Sequence, residues 1–210
     1  MTKLLLVRHG ETAWNVQKIF RGRTDISLDE VGVKQAELLG KYLSNWQLEA
    51  IYSSPLKRAL DTANIIARYQ KVGVFVAQGL IDFDYGEWRS HPESEVKKLY
   101  PNLYHEWHTN PHRIKMPGGE SLRNVRRRAS QAVNDVLAKH QGNILLVSHR
   151  VVLKVLICYL LGLDNSHFWN INQEVCGITI FDYADGRFIL TKYNDTAHLA
   201  ELRKAALGDF

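Results

Sequence analysis

Two short apolar runs, Lys3 to Val7 and Asn143 to Val147, each end abruptly in reactive polar side chains. Arg8-His9-Gly10-Glu11-Thr12 follows the first run and Ser148-His149 the second. An unbroken apolar run of strand length, without alternation, suits a strand buried on both faces, and such strands belong to parallel sheets covered by helices. Helices must then alternate with strands, and groups placed at the carboxyl ends of the strands converge on one edge of the sheet. The chain is thereby constrained to an α/β fold with a site at that edge.

The rest of the chain supplies the alternation. Ser27-Leu28-Asp29-Glu30 has the form of a capping box, and Val33, Ala36, Leu39, Leu43 and Trp46 follow at helical spacing, which predicts a helix from about Leu28 to Trp46. Ala50 to Ser53 reads as a second strand. Ser54-Pro55 then offers an N-cap and a first-turn proline for a helix that turns Ala59, Thr62, Ala63, Ile66 and Ala67 inward and carries Arg58 in its first turn. Val72 to Ala77 predicts a further strand, and Val151 to Leu161 an apolar helix stopped by Gly162. The runs Gly177 to Tyr183 and Arg187 to Tyr193 flank Ala184-Asp185-Gly186, a hairpin signal that adds an antiparallel edge.

Between Ser90 and Gly119, four prolines and clustered aromatics and histidines mark an insertion, expected to lie over the carboxyl edge and shape a substrate pocket. Tyr100, Tyr104, Trp107 and His112 are its candidate specificity contacts or, equally, its own small core. The expected architecture is α/β, a three-layer sandwich with a mainly parallel sheet and an antiparallel edge. Residues 1–210 form a single domain in this reading, with the insertion at about 90–119, and the polar tail from Asn194 packs back near the site or frays.

Composition narrows the class of function. Hydrophobic residues make up 45% of the 210 and charged residues 23%, which excludes disordered and collagen-like chains. A net charge of +5 favours anionic partners, phosphorylated metabolites or nucleic acid. Cys158 and Cys176 are too few for a disulfide scaffold and lack metal-ligand spacing, as in a reducing cytosol. The first apolar run is stopped at once by Arg8 and His9, and Val151 to Leu161 is too short to span a bilayer, so a cytoplasmic location is expected. His105, His108 and His112 lack a third ligand at zinc spacing, so no metal is expected. Arg126-Arg127-Arg128 reads as the solvated face of a helix, without the aromatic interleaving of a nucleic-acid module. The expected partner is a small phosphorylated metabolite, with neither nucleic acid nor membrane, and with a homodimer left open.

Attack on a phosphomonoester needs a nucleophile, cations for the phosphoryl oxygens and an acid for the leaving oxygen. A neutral imidazole is a competent phosphoryl acceptor, which points to His9. Arg8 and Arg58 can bind phosphate bidentately, and His149 can donate a further hydrogen bond. Ser53 and Ser54 read as strand-end and capping residues rather than nucleophiles.

Arg8-His9-Gly10-Glu11-Thr12, Asn15, Ser53-Ser-Pro-Leu-Lys-Arg58, Pro117-Gly-Gly-Glu-Ser121 and Ser148-His149 match, in order, the motifs of the histidine phosphatase superfamily, which the chain resembles over nearly its whole length. The resemblance implies the same roles for Arg8, His9, Arg58 and His149. It adds Asn15 as a phosphate contact and implies a phosphohistidine intermediate without cofactor or metal. At the family's proton-donor glutamate this chain has Asp82, with Asp84 as the competing carboxylate. Many members have Gly-Gly after the second histidine, where this chain has Arg150-Val151, so Arg150 either approaches the substrate or turns outward. Several segments are similar to metal-independent phosphoserine phosphatases, but Tyr85 replaces a histidine of theirs, while Asp84-Tyr85-Gly86-Glu87-Trp88 is of the α-ribazole phosphatase type. The candidate substrate contacts are Asn15, Arg21, Gly22, Tyr85, Arg150 and His198. The implied function is hydrolysis of a small phosphate ester, phosphoserine or α-ribazole phosphate, with a phosphoglycerate mutase and a non-catalytic phosphate-binding module as alternatives.

Overall fold

The computed structural model describes residues 2–202. In chain order the elements are β1 (Thr2–Arg8), α1 (Ala13–Val16), α2 (Glu30–Leu43), β2 (Leu48–Ser53), α3 (Lys57–Ala67), β3 (Val74–Val76), α4 (Glu93–Leu99), α5 (Pro101–Thr109), α6 (Leu122–Leu137), β4 (Asn143–Ser148), α7 (Arg150–Leu160), β5 (Ile178–Ala184) and β6 (Arg187–Asp195). The sheet runs β3-β2-β4-β1-β5-β6, with β3, β2, β4 and β1 parallel and β5 and β6 antiparallel. β1 and β4 lie side by side at its centre with Val7 opposite Val147 and Arg8 opposite Ser148, so the two motifs that follow them emerge together.

The strand period of two divides each central run between the two faces. Leu4, Leu6, Ile144 and Leu146 pack against Val125, Ala129 and Val133 of α6 and Val152, Val155 and Leu156 of α7. Leu5, Val7, Leu145 and Val147 face the other way, onto Ala36 and Leu39 of α2 and Ala63 and Ile66 of α3. Burying each such side chain contributes about 1.5–3 kcal/mol relative to leaving it in water. Three layers result, and the continuous apolar runs are explained by helices on both faces.

Local boundaries differ from expectation where a nearer partner wins. Helix α2 starts at Glu30 because Asp29, not Ser27, caps it by accepting from the Gly32 amide at 2.7 Å. It ends at Leu43, before Trp46, and Val33 is exposed. Helix α3 starts at Lys57 with Leu56 as its cap residue, the Ser54 hydroxyl reaching the Leu56 amide at 3.3 Å and His149 rather than the helix's own first turn, but Arg58 is in the first turn as expected. The third strand shortens to Val74–Val76 at the sheet edge. Asp185 and Gly186 adopt φ of +51° and +75°, the left-handed pair that a two-residue hairpin requires.

The insertion is built from α4, α5 and a single turn at Pro111–Arg113. Trp107 is buried, stacked on Phe83 with centroids 5.5 Å apart and edge-on to Trp169, whose indole donates to the Trp107 carbonyl at 2.6 Å. The Tyr100 hydroxyl donates to Glu87 at 3.0 Å and that of Tyr104 to Glu93, while His112 is exposed. Of the two readings of these aromatics, the small core is the one the packing favours. The last part of the polar tail, 203–210, lies outside the described residues. Among the described residues no helix is long and apolar enough to cross a membrane.

Candidate active site

The turn after β1 is held rigidly before any chemistry is considered. The His9 amide donates to the Ser148 carbonyl at 3.0 Å, tying the ends of β1 and β4 together. Gly10 is required by close approach: a Cβ there would lie 2.5 Å from the Gly32 carbonyl oxygen. The Gly10 amide donates to the Thr62 hydroxyl, which in turn donates to the Arg58 carbonyl, and the Glu11 amide donates to Gln35. Thr12 donates through its amide and hydroxyl to the Asn15 side-chain carbonyl at 3.0 and 2.9 Å, so that Asn15 closes the loop.

His9 is buried, and its Nδ1 lies 2.7 Å from the Gly10 carbonyl oxygen. A carbonyl can only accept, so Nδ1 carries the hydrogen and Nε2 of the neutral ring carries the lone pair. Burial first, then the guanidinium groups of Arg58, Arg8 and Arg21, push His9 well below the ordinary histidine range. His149 sits beside it, ring centroids 5.2 Å apart, and is lowered likewise by burial and then by Arg58. Its Nε2 lies 2.7 Å from the Ser54 hydroxyl and its Nδ1 3.5 Å from Asp82 Oδ2. Two neutral imidazoles in a cationic surround are the outcome, one with a defined nucleophilic nitrogen.

Arg58 is fully buried. It donates to the carbonyls of Thr24 and Gly22 at 2.9 and 2.8 Å and to Asp82 Oδ2 at 2.8 Å, while its Nε has no hydrogen-bond partner among the described residues. Arg8 donates to the Gln173 carbonyl at 2.9 Å. The other Asp82 oxygen accepts from the Phe83 amide at 2.8 Å.

The segment that carries Asp82 is gripped from behind by Arg128, which corrects the reading of Arg126 to Arg128 as a solvated face. Arg128 donates to the carbonyls of Gly79, Ile81 and Asp82 and pairs bidentately with Glu120 at 3.0 Å. Arg126 donates to the Leu163 carbonyl at 2.6 Å, and only Arg127 of the three is exposed. Glu120 also accepts from Arg23 at 2.9 Å and from the Asp84 amide at 3.2 Å. Asp84 is turned to this frame, accepting from the Gly86 amide, and only Asp82 of the two carboxylates reaches the cavity.

A cavity of about 360 Å³, counting its mouth open to solvent, reaches His9 and Asp82 of these groups, while Arg8, Arg58 and His149 lie behind its wall. His9, Arg21, Gly22, Asp82, Tyr85 and Arg150 line it, with Ile19, Phe20 and Val151 as apolar wall. Arg150 therefore turns inward, toward His9. His198 is not brought there: its ring packs 5.4 Å from Tyr42, on the α2 side, and burial lowers it. The insertion aromatics do not line the cavity either. Among the described residues no group of three or more His, Cys, Asp and Glu is placed to hold a metal.

Sequence reasoning passed over three supports, Ser54, Gln173 and Arg128. The Ser54 and Arg128 side chains were assigned to a cap and to solvent, and Gln173 acts through a backbone carbonyl that leaves no signature in the residue type.

Comparison with known proteins places the chain in a family. Phosphoserine phosphatase 1 of Hydrogenobacter thermophilus is 37% identical over 202 residues, covering 96% of each chain. The structure of YhfR from Bacillus stearothermophilus superposes with a TM-score of 0.91 at 31% identity, covering 95% of this chain and all of that one. The α-ribazole phosphatase of Shigella flexneri gives a TM-score of 0.82 at 26% identity, over 92% of this chain and 96% of that one. Residues 4–196 match the model of the histidine phosphatase superfamily, branch 1, to which the chain belongs, as a phosphatase.

Proposed function

We propose that the chain hydrolyses a small phosphorylated metabolite without a metal, through a phosphohistidine on His9. The observation that carries this is the fixed tautomer of His9: with Nδ1 held on the Gly10 carbonyl, Nε2 is left as nucleophile beside Arg21 and Asp82 in the cavity wall. Nε2 attacks phosphorus and the bond to the ester oxygen breaks. Arg8, Arg58 and His149 stabilise the phosphoryl oxygens, and preorganised charge of this kind is usually the largest catalytic contribution. Arg58 Nε, already desolvated and without a partner, loses nothing by turning to the phosphate.

Asp82 is the acid. A phosphate dianion and a carboxylate repel at contact, so the bound complex holds one proton between them, and that proton leaves with the alkoxide. Water then attacks the phosphohistidine, releasing orthophosphate and restoring neutral His9. The 37% identity to a phosphoserine phosphatase and the likeness to an α-ribazole phosphatase make phosphoserine and α-ribazole phosphate the substrates to try first.

Labelled substrate quenched during turnover should leave an acid-labile, base-stable adduct on His9, and His9→Ala should lose both adduct and turnover. Phosphate release at the parental rate by His9→Ala, or release that stops under chelation, refutes the mechanism. Transfer of phosphate between positions of phosphoglycerate without orthophosphate release points to a mutase instead.

A further inference from the structure

We propose that the α7 end of the cavity is a subsite for a carboxylate on the alcohol part of the substrate, with Arg150 as the contact and Lys154 as the positioning residue buried behind it on the same aromatic support. This rests on the phosphatase reading of the His9 end of the same cavity.

Helix α7 starts directly after His149, so Arg150 is its first residue and Lys154 lies one turn on, on the same face. Arg150 lines the cavity, and its Cζ lies 5.8 Å from the centroid of the Trp169 ring. Lys154 is 1% exposed, with Nζ 4.1 Å from the Trp169 centroid and 4.2 Å from that of Phe168. Two basic side chains thus share one aromatic support, the outer one at the cavity and the inner one sealed behind it. Tyr85, across the cavity, offers no charge, and Arg21 acts on His9 at the phosphate end.

The surroundings of Lys154 are unusual for a buried lysine. Among the described residues, the charged and titratable groups that face it are Arg150 on its own helix, Arg8 from β1, Cys158 one turn on and His108 from α5, none of them a carboxylate. Burial, then Arg150 and then Arg8, lower its ammonium to about 6, with Cys158 acting in the opposite sense. Near neutral pH the basic groups of the subsite among the described residues are therefore the guanidinium of Arg150 and a neutral amine. The single guanidinium matches a monoanionic carboxylate in charge, and an anion at Arg150 draws a proton onto Lys154 from solvent. A leucine or methionine would fill the space behind Arg150 without the cost of a desolvated amine, and the coupled charge gives the lysine a use.

The test reads binding rather than turnover, by calorimetry on the whole chain at about pH 7.5 in two buffers of different ionisation enthalpy. The probes are the phosphonate isosteres of phosphoserine and of phosphoethanolamine, which differ by the carboxylate, and a third in which a second phosphonate replaces it. The carboxylate isostere should bind tighter than the phosphoethanolamine isostere by about tenfold or more, as expected of a hydrogen bond to a charged group, with uptake approaching about one proton. Lys154→Met should lose the extra uptake and narrow the preference, and Lys154→Arg, which cannot lose its proton here, should keep the preference without the uptake. Equal affinity and equal uptake for the first two probes in the parental protein, or tighter binding of the bisphosphonate, overturns the subsite. Failure to hydrolyse any phosphate ester would instead count against the phosphatase reading, since the isosteres bind without turnover.

Discussion

Replacing Lys154 by Met should stabilise the fold, and by an amount that depends on pH in a defined way. The unfolded chain keeps the Lys154 proton up to its ordinary value of 10.5, whereas in the fold burial, then Arg150 and Arg8, lower it to about 6. Between those values the unfolded state binds more protons, so the parental protein gains stability as pH rises and loses it as pH falls toward 6. At about 1.4 kcal/mol per pH unit, keeping Lys154 neutral at about pH 7 costs about 5 kcal/mol, a large share of the ~5–15 kcal/mol that holds a typical domain together. Lys154→Met removes the ionisation from both states. Urea unfolding of the two proteins between about pH 6.5 and 9.5 should give a stability difference that shrinks by up to about 1.4 kcal/mol per unit as pH rises. The slope is the decisive quantity, because any packing change on substitution adds a constant. A difference independent of pH would falsify the account of Lys154 as a neutral buried amine.

The two buried histidines carry the same trend further to the acid side: below their ordinary value of 6.5 the unfolded chain takes up protons that His9 and His149 refuse, so stability is lost as pH falls. Going from about pH 6.5 to 5.5 should cost about 1 kcal/mol per ring, and His9→Gln and His149→Gln should each remove their own share of that loss; variants that keep the parental acid slope contradict the neutral rings. Asp82→Asn should lower turnover of alkyl phosphates by about 10²–10⁴-fold and that of p-nitrophenyl phosphate by much less, because a nitrophenolate leaves without a proton. Equal losses on both esters would make Asp82 an anchor for Arg58 and the Phe83 amide rather than an acid. Arg128→Met should lower kcat for alkyl esters by about 10–100-fold while leaving inhibition by orthophosphate little changed, since it holds the Asp82 segment and not the phosphate; a matching loss of orthophosphate affinity would show that the whole cavity had shifted.

The central strands and the residues that follow them were legible because their signal is local. Leu4 to Val7 and Ile144 to Val147 must be buried on both faces, and once β1 and β4 pair in register Arg8 and His9 have to meet Ser148 and His149. The hairpin at Asp185-Gly186 was legible for the same reason, since few residue pairs accept two consecutive positive φ values. Arg128 and Ser54 were not, because their partners are set by the fold. Arg128 sits on a helix whose periodicity says only that it avoids the core, and carbonyls from 79 to 82 arrive from a segment some 46 to 49 positions away. Ser54 has the residue type and position of an N-cap, and its hydroxyl does accept from the Leu56 amide at 3.3 Å, but it also meets a histidine 95 positions away at 2.7 Å.

The insertion shows how such a partner can invert an expected role. A cluster of aromatics over the carboxyl edge suggests direct contact with substrate, yet Trp107 turns into a stack with Phe83, Phe168 and Trp169, and the His108 ring lies on Trp169 at 5.0 Å and 14°. Trp169 is in turn the surface on which Arg150 and Lys154 rest. The insertion therefore acts on the cavity at one remove, by fixing the aromatic support of Arg150 and Lys154. The proposed carboxylate subsite would put discrimination among phosphate esters at the first turns of α7, where Arg150 and Val151 face the cavity and the buried amine of Lys154 stands behind Arg150.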